Sequence, residues 1–207
     1  VSCGGEAPYN LSRARLPWLP AIELRGEGVF LGFHPDAIAA WEDESANPAL
    51  KSHFDRFAAR FRREALAEAR TEGERAEVSA RIDAWRPYGP RFVMLHSFAH
   101  ALMRQLSLAC GYSSSALRER IYVADKPARQ MGVLVHTDSP DSEGTLGGLV
   151  RQGRRERLRD TLVALLHDAA WCSSDPVCIT GTMTLSTPRN GAACHACLLA
   201  PETSCEH

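Results

Sequence analysis

The cysteines near the C-terminal end constrain the fold of this 207-residue chain more than any other feature. Five of its seven cysteines lie in the last 36 residues, and two of them, Cys194 and Cys197, form a Cys-x-x-Cys pair. This segment has little hydrophobic periodicity, so we do not expect its apolar residues alone to order it. Such a pair belongs to a metal site, a redox dithiol or a disulfide framework.

The number and setting of the cysteines favour a metal. Their number is odd, and the first 20 residues contain no apolar stretch like that of a signal peptide. We therefore expect a reducing, cytoplasmic location, where clustered cysteines more often bind metal than form disulfides. A thioredoxin-like dithiol needs a strand before the pair and a helix after it, which "NGAACHACLLAPET" does not supply. Buried cysteines without a metal remain an alternative.

Zinc is the metal that this pattern predicts. Zn²⁺ takes four ligands in a tetrahedron, and the Cys194/Cys197 pair supplies two of them. Cys178 and Cys205 fit the other two positions, because "SSDPVC" and "PETSC" are typical of loops. Four cysteine ligands leave no open position, so this zinc would stabilise the fold and take no part in catalysis.

Three residues keep other ligand sets open. Cys172 ends a predicted helix beside Trp171, where it fits the core as well as a metal site. His195 and His207 would each give a Cys₃His site if one replaced a cysteine.

The composition is that of an ordinary globular protein. Hydrophobic residues make up 44% of the chain and charged residues 24%, which suits one domain or two small ones. The net charge of -1 excludes a global basic field for nucleic acid, and no apolar run reaches the length of about 18 residues that spans a membrane. The chain does not begin with Met, and we expect it to be part of a longer protein.

Periodicity predicts an α+β fold with helices packed on a small antiparallel sheet, and the cysteines predict a C-terminal segment that zinc holds together. Residues 1–20 are an irregular lead-in, and 21–90 are a hairpin (21–33) followed by amphipathic helices. We expect Gly73 to interrupt the helical stretch, and the aromatic stripe on its first part to pack in the core: Phe54, Phe57 and Phe61. The third part, 91–207, begins with a buried helix (91–110) capped by Gly111 and continues with paired strands at 118–124 and 131–137. A last helix, from about 152 to 171, is expected to turn four leucines inward: Leu158, Leu162, Leu165 and Leu166.

Several blocks in this order resemble the MrfA-type zinc-binding domain family: "LHSFAHALMRQLSLACGY", "RERIYV", "GVLVHTDSPDSEGTLGGLV", "DPVC" and "AACHACLLAPETSCEH". The hairpin "PAIELRGEGVFLGF" is similar to the segment before this domain in the DrmB family of the DISARM bacterial anti-phage systems. The resemblance covers most of residues 17–207. It implies a zinc ion, a superfamily 2 DNA helicase as attached domain or partner, and the ligands Cys178, Cys194, Cys197 and Cys205.

A pair of histidines suggests a different site. His96 and His100 lie four residues apart on the buried helix, but Ser97 stands where a metalloprotease would have Glu. Asp138 and Glu143 of the following loop, with Glu119, would complete a carboxylate–histidine site if the fold brought them together. This set makes a metal-dependent hydrolase or nuclease the alternative function; core histidines bonded to the backbone are the plainer reading.

The glycine-rich loop and the basic segment after it are the remaining motifs. "EGTLGGLV" could hold a phosphate at the start of the next helix, but it lacks the Lys-Ser/Thr of a P-loop, so we expect no nucleotide bound by this chain. We favour positive backbone angles or close packing as the role of its glycines. The arginine segment that follows has five basic side chains at a predicted helix start, where they oppose the helix dipole and suggest contact with DNA phosphate or a protein partner: Arg151, Arg154, Arg155, Arg157 and Arg159. A solvated surface is the alternative.

The sequence thus predicts a zinc-stabilised, non-catalytic accessory domain. The resemblance adds a helicase partner, DNA contact and phage defence or DNA repair as its setting. A pure protein-interaction scaffold is a further alternative, which predicts no DNA binding.

Overall fold

The computed structural model describes residues 23, 26–43, 47–85, 88–125, 127–137, 148–176, 178, 196–198 and 204–205. Its elements, in chain order, are β1 (Gly28–Gly32), α1 (Pro35–Glu42), α2 (Pro48–Glu68), α3 (Glu72–Trp85), α4 (Gly89–Cys110), a 3₁₀ turn (Ser114–Ala116), β2 (Leu117–Ala124), β3 (Gln130–Thr137), α5 (Gly148–Gln152) and α6 (Arg155–Ala169). The predicted α+β class, with helices on a small antiparallel sheet, is confirmed.

The sheet has three antiparallel strands in the order β1-β3-β2. Side chains alternate along β3, where Met131, Val133 and Val135 are buried on the face that α4 covers. β1 pairs with β3, a partner about a hundred residues further along the chain. The first half of the predicted hairpin, 21–25, lies mostly outside the described residues, as does the lead-in 1–20.

Helix α4 is the centre of the molecule. Leu95, Leu102 and Leu106 on α4 are fully buried in the core, and α4 packs on β2, β3 and α6. The predicted cap is confirmed: Gly111 has φ 76° and donates its N–H to the carbonyl of Ser107 at 2.9 Å. α4 therefore contacts both β2 and α6.

The helices before α4 show one correction. Gly73 was expected to interrupt the helical stretch, but it lies in the first turn of α3. The break falls instead at 69–71, because Thr71 and Glu74 form a capping box: Thr71 Oγ1 accepts the N–H of Glu74 at 3.1 Å, and Glu74 Oε2 accepts that of Thr71 at 3.2 Å. Of the aromatic stripe on α2, Phe54 is buried.

The last helix also differs from its prediction. It is divided at residues 153–154 into the short α5 and the longer α6. Leu165 is buried, but Leu166 is 68% exposed, so the expectation that Leu166 turns inward was wrong. Adjacent helical residues point about 100° apart, and α6 packs on α4 through the side that carries Leu165.

No helix in the described part of the chain combines the length and apolar character needed to cross a membrane. The three-part division of the chain stays a prediction, although β1 and β3, from the second and third parts, share one sheet.

Candidate metal centre

Three cysteines converge after α6. The Sγ atoms of Cys172, Cys178 and Cys197, which we call the cysteine cluster, lie within 4.8 Å of one another. Those of Cys178 and Cys197 are 3.7 Å apart. Two sulfurs bound to one tetrahedral zinc at about 2.3 Å are about 3.8 Å apart, so the spacing fits a shared ion.

A compact turn brings Cys172 and Cys178 together. Asp175 donates its backbone N–H to the Cys172 carbonyl at 2.9 Å, and Cys178 donates its own to Ser174 at 3.1 Å. The Asp175 carboxylate accepts the N–H of Cys172 at 2.9 Å, and the sulfur of Cys172 accepts that of Ser174 at 3.4 Å. These hydrogen bonds among Cys172, Ser174, Asp175 and Cys178 thus hold the two thiols close to each other.

The third thiol, that of Cys197, lies in a turn at 196–198 that side chains of α4 hold in place. Arg104 donates to the carbonyls of Ala196 at 2.6 Å and Cys197 at 3.2 Å. One turn earlier, Nδ1 of His100 lies 2.6 Å from the carbonyl of Leu198. These contacts fix Cys197 against the core.

A second group of potential metal ligands surrounds His96 and His100, which lie two turns and one turn before Arg104 on α4. The ligand atoms of this histidine cluster lie within 4.8 Å of one another, and its members are His96, His100, Glu119 and Cys205. His96 Nε2 is 3.1 Å from Glu119 Oε1 and 3.2 Å from the sulfur of Cys205. His100 Nε2 is 3.5 Å from Glu119 Oε2.

The fold explains why Glu119 reaches the histidines. Leu117 and Glu119 alternate with exposed or half-buried residues along β2, so both face α4, and both are fully buried. Ser204 ties the C-terminal segment to the same strand: its carbonyl accepts the N–H of Glu119 at 3.2 Å, and its hydroxyl donates to Ser114 at 2.8 Å. Cys205 therefore follows directly after an anchored residue.

Without a metal, this cluster is an ion pair. Burial opposes charge on each group, but the close contacts outweigh it. Cys205 and Glu119 raise the pKa of His96 to about 9 and that of His100 to about 10. The two imidazoles lower the pKa of Glu119 to about 2.

The predicted site residues are thus distributed over two places. The structure brings Cys178 and Cys197 together, adds Cys172, and places Cys205 in the histidine cluster. Cys194 lies outside the described residues. So do the two carboxylates of the predicted alternative site, Asp138 and Glu143, and the two histidines considered as ligands, His195 and His207.

The arginine segment lies where α5 ends and α6 begins, and all five side chains are exposed. Arg154 is the N-cap residue of α6, so the arginine segment includes the start of that helix. Arg159 pairs with Asp160 at 3.1 Å, with both side chains largely in solvent. The segment leads to a helix that is acidic only at Glu156, Asp160 and Asp168.

One half-buried residue that sequence reasoning missed holds the end of the glycine-rich loop. The carboxylate of Glu27 accepts the N–H groups of Leu149 at 3.1 Å and Val150 at 3.2 Å, and the hydroxyl of Tyr112. Its only signal in the sequence was a carboxylate beside two glycines at the start of a strand, which does not identify its partners.

Comparison with known proteins identifies a zinc-binding domain in this part of the chain. Residues 98–198 match the family model of the MrfA Zn-binding domain, and this part of the chain is a zinc-binding domain of that family. The chain is also 42% identical over 189 residues to "DISARM protein DrmB" of Bacillus paralicheniformis. That alignment covers 91% of this chain but 31% of the relative, so the chain corresponds to about a third of that protein's length.

Proposed function

We propose that this chain is a non-catalytic accessory domain that works with a superfamily 2 DNA helicase on DNA in bacterial phage defence, and that zinc staples its C-terminal segment. The observation that carries the proposal is the convergence of three thiols at the end of α6 and at the turn held by α4. The likeness to a DISARM protein supports the setting.

For the zinc, we propose Cys172, Cys178 and Cys197 with Cys194 as fourth ligand. This differs from the set that the sequence predicted, Cys178, Cys194, Cys197 and Cys205, because Cys205 lies beside His96. Zinc would link the residues after α6 to the turn at 196–198 across about twenty residues of chain, a staple that stabilises a segment with little core of its own.

Metal content tests the staple. In protein purified without added zinc, we expect Cys197→Ser to lose the zinc of the cysteine cluster. The C-terminal segment of this variant should no longer unfold cooperatively. Cys110→Ser is the matched control, because Cys110 lies at the end of α4 outside both clusters. Full zinc content in Cys197→Ser would contradict the assignment.

The arginine segment supports direct DNA contact. Its five arginines are exposed on one short segment, and Glu156 and Asp160 only partly offset their charge. Backbone contacts of this kind give affinity without sequence specificity and weaken as salt rises.

Fluorescence anisotropy with a labelled duplex, measured over a range of salt concentrations, tests this contact. We expect Arg154→Ala plus Arg155→Ala to weaken binding and to reduce the slope of log K against log salt by about 2. The matched control is Arg63→Ala plus Arg75→Ala, which removes the same charge from exposed positions on α2 and α3. Equal losses in both double variants would refute a specific role for the arginine segment.

The helicase partnership needs its own experiment. We expect the chain to co-elute with the helicase subunit of the same defence system on size exclusion, with DNA absent. A complex that forms only when DNA is present would show that DNA, and not a protein interface, joins the two.

A further inference from the structure

We propose that the histidine cluster is a second metal site, in which His96, His100, Glu119 and Cys205 hold a divalent transition-metal ion, with zinc the best fit. It is separate from the cysteine cluster, and no part of the proposed function depends on it.

The donor atoms have the spacing of tetrahedral ligands. Two nitrogen or oxygen atoms about 2.0 Å from a tetrahedral zinc lie about 3.3 Å apart, and a nitrogen and a sulfur about 3.5 Å. His96 Nε2 lies 3.1 Å from Glu119 Oε1 and 3.2 Å from the sulfur of Cys205, and His100 Nε2 lies 3.5 Å from Glu119 Oε2. One ligand atom from each of the four residues lies within 4.8 Å of the others, so the donors surround a space that a single ion would fill if they closed around it.

Glu119 supplies the second, independent observation. Its side chain is fully buried, and among the described residues neither carboxylate oxygen has a hydrogen bond, although imidazole nitrogens lie 3.1 and 3.5 Å away. The ion pair with the imidazoles offsets part of the cost of burying this charge, but the hydrogen-bonding capacity of both oxygens stays unused. A metal ion at the centre of the cluster would compensate both oxygens at once.

The orientation of His100 also supports a metal site. Its Nδ1 donates to the carbonyl of Leu198 at 2.6 Å, so Nε2 is directed at Glu119. Nε2 is itself buried and, within the described part of the chain, has no hydrogen bond. A histidine that binds a metal through one nitrogen commonly donates its other N–H to a carbonyl, which fixes the ring and its tautomer.

The ligand chemistry selects the ion. Two imidazoles, a thiolate and a carboxylate suit zinc and its neighbours, whereas magnesium and calcium prefer oxygen ligands alone. Four protein donors from α4, β2 and residue 205 leave no open position, so the ion would be structural. It would join the C-terminal segment to the core at a second place, one residue after Ser204.

Metal analysis of the full 207-residue chain, purified without added metal, tests the site. We expect about two ions per chain, falling to about one in Glu119→Gln and in Cys205→Ser, while Cys178→Ser loses the other ion. Glu77→Gln is the matched control, because it makes the same change on the exposed surface of α3.

Any of three results would overturn the proposal. One is a single ion per chain that Glu119→Gln retains, which would leave the cluster as an imidazolium–carboxylate ion pair. Another is a single ion lost in Cys205→Ser but kept in Cys172→Ser, which would place Cys205 in the cysteine site. Loss of all metal in Cys178→Ser would likewise reject a second site while supporting the staple.

X-ray absorption at the zinc edge of the unmutated protein keeps the test independent of whether the variants fold. Two occupied sites predict a mixed first shell, with nitrogen and oxygen at about 2.0 Å as well as sulfur at about 2.3 Å. A shell of sulfur alone would reject the histidine cluster as a zinc site, and the proposed staple would still stand.

Discussion

Removing the Glu27 carboxylate should strongly destabilise the protein. Glu27 stands just before β1 and accepts hydrogen bonds from three places: the hydroxyl of Tyr112 after α4, and the backbone N–H groups of Leu149 and Val150 at the start of α5. In Glu27→Ala these three donors lose their acceptor.

The expected cost follows from their exposure. Leu149 is fully buried and Tyr112 is 6% exposed, so water cannot readily replace the carboxylate at either. Val150 is 54% exposed, and its N–H can bond to solvent. An unsatisfied buried donor costs about 1–3 kcal/mol, so two of them predict a loss of about 2–6 kcal/mol in the free energy of unfolding.

Equilibrium unfolding in urea at a fixed zinc concentration measures this loss. A double-mutant cycle with Tyr112→Phe isolates one contact, and we expect a coupling energy of about 1–2 kcal/mol between the two positions. Glu77→Ala, on the exposed surface of α3, controls for the change in charge. A loss below about 0.5 kcal/mol in Glu27→Ala, or no coupling to Tyr112, would refute the assigned contacts.

Three further predictions concern stability. Leu165→Ala should cost about 2–4 kcal/mol and Leu166→Ala less than about 0.5 in the same unfolding assay, because only Leu165 is buried; equal costs would contradict the register of α6. Gly111→Ala should cost about 1–2 kcal/mol because φ is 76°, and a thermal melt that does not shift would argue against this cap. Burial and Glu27 raise the pKa of Tyr112 to about 12, above its value of about 10 in the unfolded chain, so its contribution is present below pH 10 and lost as the pH rises through 12. Unfolding at pH 10 and pH 12 should therefore show a greater loss of stability in the parent chain than in Tyr112→Phe, and equal losses would contradict this shift.

Local sequence was sufficient for the central elements. The apolar run from Leu95 to Leu106 predicts a buried helix, and Gly111 marks its end, since both signals depend on residues within a few turns. The alternation along β2 and β3 likewise predicts their pairing, because a short connection favours antiparallel neighbours.

Longer-range features were beyond such reasoning. The pairing of β1 with β3 joins residues about a hundred positions apart, which no local pattern encodes. The inward side of α6 was also misjudged at Leu166, because four leucines within nine residues cover more of the helix than one contact with α4 can bury.

The sequence by itself determined which chemistry this protein contains: thiols at metal-binding spacing, two histidines one helical turn apart, and a carboxylate at an inward position of β2. The tertiary structure decided how these donors are shared. α4 packs on β2 and so sets His96 and His100 against Glu119, while Ser204 anchors the chain so that Cys205 reaches them. Arg104 holds Cys197 towards Cys178 and Cys172. Spacing along a chain limits which donors can meet, but only the packing of the elements that carry them determines which ones do.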